Sequence, residues 1–261
     1  MTEPQLLLFA ALLGLIVGSF LSMLTWRLPR IMHLPQDKQF LHLSLTRSKC
    51  PHCETALSWT QLFPLVSWLA AKGKCRHCQT GISLRYPLIE LTTLFLTTWT
   101  VWYFGATPMT LIALTFVWFI IALTVIDIEH QLILDSLSLP LLWLGLIFNS
   151  QSTFTSPADA IIGAVMGYLL LWFIFYAFKI FTGKEGMGFG DFKLLAALGA
   201  WFGTGAIPQI ILIASLGSIL VAVLLGILRV RKLDAPMPFG PFLALGGLIS
   251  LYWGEWILAS I

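Results

Sequence analysis

Residues 157–193 read PADAIIGAVMGYLLLWFIFYAFKIFTGKEGMGFGDFK. The part from 157 to 181 is long and apolar enough to cross a bilayer, which needs about 20 such residues. The chain then turns through several glycines to Asp191, an acid at the edge of the next apolar segment. An ionisable residue at membrane depth is costly and therefore indicates function. This stretch predicts a membrane-spanning helix followed by an acidic site.

The rest of the sequence has the same apolar character. Its 261 residues are 58% hydrophobic and 10% charged, with a mean hydropathy of +0.88, which excludes a soluble globular domain. We predict an all-α polytopic membrane protein with about eight transmembrane helices. The predicted segments are 5–26, 87–104, 108–128, 136–150, 157–181, 191–203, 206–228 and 240–259. No basic residue precedes the first segment, so we do not expect a cleaved signal peptide.

The basic residues predict the orientation of these segments. Most of the Lys and Arg residues lie between the first and second segments, and the others flank later turns on the same side of an eight-span arrangement. The positive-inside rule makes that side cytoplasmic, so the N-terminus is predicted to lie outside the cytoplasm. The sequence has no interleaved basic and aromatic patch, and we predict no nucleic-acid partner.

The large predicted cytoplasmic loop, residues 27–86, contains two Cys-x₂-Cys pairs. They are Cys50 with Cys53 and Cys75 with Cys78. This pattern is typical of zinc sites, and four thiolates would close the coordination shell, so the metal would be structural. Disulfides are disfavoured because the cytoplasm is reducing. We predict a structural Cys₄ zinc site in preference to free or redox-active thiols, with the two neighbouring histidines exposed.

Two acids are predicted to meet at the cytoplasmic face. Asp127 ends the third apolar segment and Asp191 opens the sixth. One of two close carboxylates keeps its proton, so such a pair can activate water and polarise a carbonyl group. In this interpretation Gly188 and Gly190 form an active-site loop that lets a substrate backbone come close. The alternative, that Asp191 only caps a helix, does not account for a second acid at the same depth.

Two further acids have different interpretations. Asp135 precedes the fourth segment and is predicted to be its N-cap, a structural role. Glu90 lies about one turn inside the second segment, where it would either pair with a cation of the loop or bind a cationic ligand.

Taken in order, the motifs resemble those of the bacterial type IV prepilin peptidases, which are membrane aspartyl proteases of the GxGD type. The resemblance covers nearly the whole chain. It rests on Gly18–Leu21, Arg27–Pro29, the cysteine pairs, Pro64–Trp68, Ile82–Glu90, Asp127–Asp135, Gly188–Lys193 and Pro238–Phe242.

The resemblance implies a function. Such enzymes cut the leader peptides of type IV prepilins and pseudopilins on the cytoplasmic side, after a glycine. Many then methylate the new N-terminal residue with S-adenosylmethionine. The resemblance assigns proteolysis to Asp127 and Asp191 and associates the zinc loop with methylation. Glu90 and Arg27 become candidates for the methyltransferase side.

The resemblance also implies an organisation and a location. The first transmembrane helix would occupy 1–26, the cytoplasmic zinc-binding loop 27–86 and the aspartyl protease domain 87–261. The expected location is the bacterial inner membrane, with a periplasmic N-terminus and with prepilins and membrane lipid as partners. The chain departs from the usual family pattern in its methylation half at Ser22, Leu62 and Leu94.

Two other classes of function compete with a peptidase. A transporter could use the acids for proton or cation coupling. Transporters, however, usually carry inverted repeats and place their acids near the midplane, and neither feature is visible here. A non-catalytic scaffold held by its zinc loop is the third possibility. The sequence favours the peptidase.

Overall fold

The computed structural model describes residues 2–32, 34–35, 38–39, 43, 46–50, 52–58, 63–184, 186–228 and 237–258. Within these ranges the regular structure is helical, apart from two isolated bridges beside the cysteine pairs. The predicted all-α class is therefore confirmed. The helices are α1 (Glu3–Ile31), α2 (Val66–Ala70), α3 (Arg85–Phe104), α4 (Pro108–His130), α5 (Asp135–Asn149), α6 (Pro157–Thr182), α7 (Phe189–Phe202), α8 (Ala206–Ile227) and α9 (Gly240–Leu258).

A helix occupies each of the eight segments that were predicted to cross the membrane, and α2 lies in the loop. Four of the helices, α1, α4, α6 and α8, are long and apolar enough to span a bilayer. In the described part of the chain, α5 and α9 are shorter apolar helices. The count of eight crossings and the side on which each terminus lies stay predictions.

The chain forms two compact units, Met1–Ala122 and Leu123–Ile261. The boundary falls inside α4, so the last turns of that helix belong to the second unit. The predicted domain boundaries at residues 26 and 86 were based on membrane topology and function. A division into compact units does not test them, so they stay predictions.

In the first unit, α1 packs closely along α3. A Cβ on Gly14 would lie 2.8 Å from the Cα of Leu94, and a Cβ on Gly18 would lie 2.8 Å from the Cα of Glu90. Small residues permit such close approach of two helices. The contact fixes Glu90 against α1.

The second unit is built around α7. All residues from Leu194 to Trp201 are buried, and α5, α6, α8 and α9 all contact this helix. The backbones of α6 and α7 approach so closely at Gly163 and Gly199 that neither position has room for a Cβ. The burial of α7 carries its first-turn residue, Asp191, into the interior of the unit.

A buried polar cluster holds the C-terminal end of α7. The side-chain amide of Asn149 donates to the carbonyl oxygens of Ala200 and Trp201, each at 2.8 Å. Its carbonyl oxygen accepts the backbone N–H groups of Phe154 and Thr155 at 2.9 and 3.2 Å. Because the last carbonyls of a helix have no partner within the helix, this side chain satisfies two of them. The end of α7 opposite Asp191 is thereby fixed.

Candidate active site and metal centre

Asp127 lies in the last turn of α4 and is almost completely buried, with 4% of its surface exposed. Its Oδ2 accepts the backbone N–H of Gly240, the first residue of α9, at 3.0 Å. A Cβ on Gly240 would lie only 2.6 Å from that oxygen. Glycine at this position is therefore what allows the backbone of α9 to reach the carboxylate.

Asp191 lies in the first turn of α7 and is also buried, with 7% exposed. The N-cap of α7 is Gly188, and no side chain caps this end. Asp191 is therefore not the N-cap residue, but its carboxylate interacts with the backbone of Gly188, and an acid in the first turn suits the helix dipole. The carboxylates of Asp191 and Asp127 are close enough to interact electrostatically. The structure thus brings the two predicted acids together.

Ile133 links the surroundings of the two acids and was missed by sequence reasoning. It lies in the turn between α4 and α5. A Cβ on Gly190 would meet the Cβ of Ile133 at 2.7 Å, and a Cβ on Gly240 would meet its Cδ1 at 3.0 Å. An apolar residue in a short turn carries no signal in the sequence that would predict contact with two remote glycines.

The predicted N-cap role of Asp135 is wrong. The N-cap of α5 is Leu134, and Asp135 is the first residue of the helix. Its carboxylate instead pairs with Lys193, whose Nζ lies 2.6 Å from Oδ1 and 2.8 Å from Oδ2. The ion pair joins the start of α5 to α7, two residues beyond Asp191.

The four cysteine sulfurs form one cluster in the first unit. The Sγ atoms of Cys50, Cys53, Cys75 and Cys78 all lie within 4.8 Å of one another, and those of Cys50 and Cys78 are 3.8 Å apart. A tetrahedral site with Zn–S bonds of about 2.3 Å needs sulfurs roughly 3.8 Å apart. The spacing and the donor atoms therefore fit a tetrahedral metal site, as the sequence predicts.

The two cysteine pairs have the same local fold. In each, the N–H four residues after the first cysteine bonds back to that cysteine's carbonyl oxygen at 3.0 Å. The donating residues, Glu54 and Gln79, both have positive φ angles, of 54° and 58°. The hydroxyl and backbone N–H of Thr80 stabilise the thiolate of Cys78 and lower its pKa to about 6. Since thiolates bind metal, this favours a metal ligand.

The histidines inside the two pairs behave as predicted. His52 and His77 are exposed, and neither belongs to the sulfur cluster.

Glu90 and Arg27 line one cavity of about 700 Å³ in the first unit. Glu90 is buried, and its carboxylate accepts hydrogen bonds from the backbone N–H of Leu65 at 2.8 Å and from the side chain of Ser19. Arg27 donates to Thr46 at 2.8 Å and to the carbonyl oxygen of Leu43 at 3.1 Å. Within the described residues no loop cation pairs with Glu90, and its role toward a cationic ligand stays a prediction.

Positive charge dominates the described lining of this cavity. Glu90 is the one acid there, and the cations are Arg27, Arg30, Arg47, Lys49, Lys74, Arg76 and Arg85. Arg85 donates to the carbonyl oxygen of Ser22 at 2.9 Å and to Thr25 at 2.6 Å. From the sequence, Arg85 is one of the basic residues of the loop and part of the Ile82–Glu90 motif, but it was not predicted as a site residue. Its place in the Ile82–Glu90 motif could have marked it as a site residue.

The departures from the family pattern fall on and near this cavity. Ser22 lines it, and its buried hydroxyl oxygen has no hydrogen-bond partner among the described residues. Leu94 lies one turn beyond Glu90 against Gly14. Leu62 lies outside the described residues.

Comparison with known proteins supports the resemblance. Residues 12–104 match the bacterial peptidase A24 N-terminal domain, and residues 114–226 match the type IV leader peptidase family. A prepilin leader peptidase/N-methyltransferase of Stutzerimonas stutzeri is 46% identical, with 97% of this chain and 92% of the relative covered. The chain belongs to the type IV leader peptidase family.

Other members of the type IV leader peptidase family are similarly close. The prepilin leader peptidase/N-methyltransferase of Pseudomonas aeruginosa is 46% identical, with 94% of this chain and 90% of the relative covered. The enzyme of that name from Legionella pneumophila is 39% identical, with 96% and 92% covered. No solved structure matches the chain. With these relatives, the long apolar helices indicate a multi-pass protein of the inner membrane.

Proposed function

We propose that this chain is a membrane aspartyl endopeptidase that removes the leader peptides of type IV prepilins or pseudopilins, and that it also methylates the new N-terminus. The observation that carries the peptidase activity is the meeting of two buried carboxylates, Asp127 and Asp191, in a member of the type IV leader peptidase family. Membership of this family disfavours both the transporter and the scaffold interpretation.

The roles of the two acids differ. The N–H of Gly240 donates to Asp127, and a hydrogen bond of this kind favours an ionised carboxylate. We assign Asp127 as the base that takes a proton from water. Asp191 would keep its proton and donate a hydrogen bond to the scissile carbonyl oxygen. Water attacks the carbonyl carbon, the C–N bond breaks, and the leaving amine takes up a proton.

Gly188 and Gly190 would form the rim of this site. A Cβ on Gly188 would lie 4.0 Å from Oδ2 of Asp191 and would meet nothing closer than 3.9 Å. The backbone before Asp191 is therefore open on that side, which suits a substrate strand passing close to the carboxylate.

The peptidase proposal is tested with Asp127→Asn and Asp191→Asn. Each variant should insert normally and cleave a purified prepilin at less than about one-hundredth of the wild-type rate, because acid–base catalysis needs both carboxyl groups. Glu129→Gln is the matched control, since Glu129 is exposed and lies in the same turn of α4 as Asp127. Retained cleavage in either aspartate variant would refute the assignment.

We infer that the four cysteines hold one structural zinc ion. The sulfur spacing and the lowered pKa of Cys78 support it. Four protein ligands leave no open position, so the ion would shape the loop and take no part in a reaction. Metal analysis should find about one zinc per chain and none in a Cys75→Ser/Cys78→Ser variant.

We propose that the cavity of the first unit receives S-adenosylmethionine. Its volume lies within the usual range of ligand pockets, about 300–1,000 Å³. The basic lining suits the carboxylate of the donor, and Glu90 suits a cationic group. When bound, the donor supplies an electrophilic methyl group. The buried hydroxyl of Ser22, which lacks a partner among the described residues, would gain one from a ligand.

Glu90→Gln tests the cavity assignment. This variant should bind S-adenosylmethionine at least about tenfold more weakly by calorimetry, because a charged partner is lost. Its leader cleavage should stay at the wild-type rate, and its cleaved product should lack the added methyl mass. Unchanged binding would refute the assignment.

The orientation is also a proposal. The zinc loop at 27–86 would lie in the cytoplasm, the N-terminus in the periplasm, and the protease domain at 87–261 would face the cytoplasmic leaflet. A membrane-impermeant thiol reagent added to intact cells should leave the four cysteines unmodified. In inverted vesicles treated with a chelator, the same reagent should label them.

A further inference from the structure

The turn between α4 and α5 lies against two glycines, and each glycine is tied to one of the acids. Gly190 directly precedes Asp191 in the chain. Gly240 donates its N–H to Oδ2 of Asp127 at 3.0 Å. Ile133 is the residue of the turn that contacts both glycines.

The Ile133 side chain lies across the gap between these two backbones. Its Cβ lies 2.7 Å from the position that a Cβ on Gly190 would occupy. Its far end, Cδ1, lies 3.0 Å from the position of a Cβ on Gly240. One side chain therefore determines how closely the two glycine backbones can approach.

Both ends of the turn are fixed to the helices that carry the acids. The N–H of Gln131 bonds to the carbonyl oxygen of Asp127 at 2.9 Å. Beyond the turn, the two bonds from Lys193 to Asp135 join the start of α5 to α7. Ile133 thus has little freedom to move away when either glycine presses against it.

We propose that Ile133 is a positioning residue of the peptidase: its side chain holds the Gly190 and Gly240 backbones apart and so sets the separation of Asp127 and Asp191. The proposal rests on the peptidase function proposed above. Ile133 acts only through the two glycines and the acids next to them. Misplacing catalytic groups by about 1 Å can cost up to about 10²-fold in rate, so the residue matters although it has no chemistry of its own.

The test is a series of side-chain volumes at position 133. Ile133→Val removes Cδ1, the atom at Gly240, and should lower kcat for leader cleavage about threefold, and Ile133→Ala about 10- to 100-fold. KM should change less than about twofold, because the substrate contacts are kept. Ile133→Leu, which keeps the reach of the side chain, should restore most of the rate.

The matched control is Leu132→Ala in the same turn. Leu132 is 42% exposed, and none of its atoms is among the three nearest to a Cβ at Gly190 or at Gly240. The control should keep the wild-type kcat. Equal losses in Leu132→Ala and Ile133→Ala would overturn the proposal, because general loosening of the turn would then explain both.

A pH profile separates positioning from simple loss of stability. Two close carboxylates titrate as a coupled pair, so letting them approach more closely should widen the bell-shaped profile of kcat/KM in Ile133→Ala. The other titratable groups of the turn and of its partner helices are Glu129, His130, Asp135 and Lys193, with Tyr252 and Glu255 on α9, and the substitution leaves them in place. An unchanged profile with a kcat that follows the folded fraction would overturn the proposal.

The two proposals fail in different ways. Cleavage by Asp127→Asn or Asp191→Asn would refute the peptidase assignment itself. If both aspartate variants are inactive while Ile133→Ala keeps the wild-type kcat and profile, only the positioning role is refuted.

Discussion

At the scale of single residues, the site depends on positions where a side chain would not fit. The acids attract attention in the sequence because buried charge is rare in a membrane protein. The need for glycine at 240 is not visible there, because it arises from contact with Asp127 more than a hundred residues away. The ion pair of Asp135 was missed for the same reason, since Lys193 is 58 residues away in sequence.

Gly240→Ala tests that requirement. The new Cβ would lie 2.6 Å from Oδ2 of Asp127, so the start of α9 must shift and the hydrogen bond to Asp127 is lost. We expect kcat to fall about 10²-fold or more, measured as leader cleavage by the purified protein. Gly254→Ala in the same helix, where the nearest atom lies at 4.0 Å, should keep the wild-type rate.

At the scale of helices, the sequence predicted the elements well because each is a long apolar run bounded by polar residues, Gly or Pro. Every predicted segment is a helix, with ends that differ by a few residues. The packing of α7 was not predictable. Asn149, which holds the C-terminal end of α7, is the last residue of α5, and no local pattern marks it as a partner of α7.

Asn149→Ala should destabilise the second unit. It removes two donated and two accepted hydrogen bonds and leaves buried backbone groups without partners. A buried group without a partner costs about 1–3 kcal/mol, so we expect a loss of about 3 kcal/mol or more in unfolding free energy. Denaturant titration in detergent measures it. Ser150→Ala, at the exposed neighbouring position, should change the unfolding free energy by less than about 0.5 kcal/mol.

At the scale of the whole molecule, the two candidate sites fall in different compact units. The sulfur cluster and the cavity lie in Met1–Ala122, and both aspartates lie in Leu123–Ile261. The sulfur cluster and the acid pair could be predicted from the sequence, because paired thiols and acids beside apolar segments are local patterns. The cavity was not anticipated, because its lining is assembled from α1, the loop and the start of α3.

This division predicts that metal removal separates the two activities. Chelation should abolish methyl transfer, because Cys50 and Cys75 line the cavity and would no longer be held together by the metal ion. Leader cleavage should stay within about twofold of the untreated rate, as the aspartates need no metal. Product mass reports both activities in one assay. Equal loss of both would contradict the prediction, and added zinc should restore methylation.

The shortness of α5 has a consequence for the surrounding lipid. Asp135–Asn149 has 15 residues, or about 22 Å of helix, against about 30 Å for a bilayer core. Leu139, Trp143 and Ile147 are exposed along it, and lipid chains can cover them. A short hydrophobic surface thins the adjacent bilayer. We expect faster leader cleavage in vesicles of short-chain lipid than of long-chain lipid, because a thinner membrane brings water and the substrate's cleavage point closer to the acids.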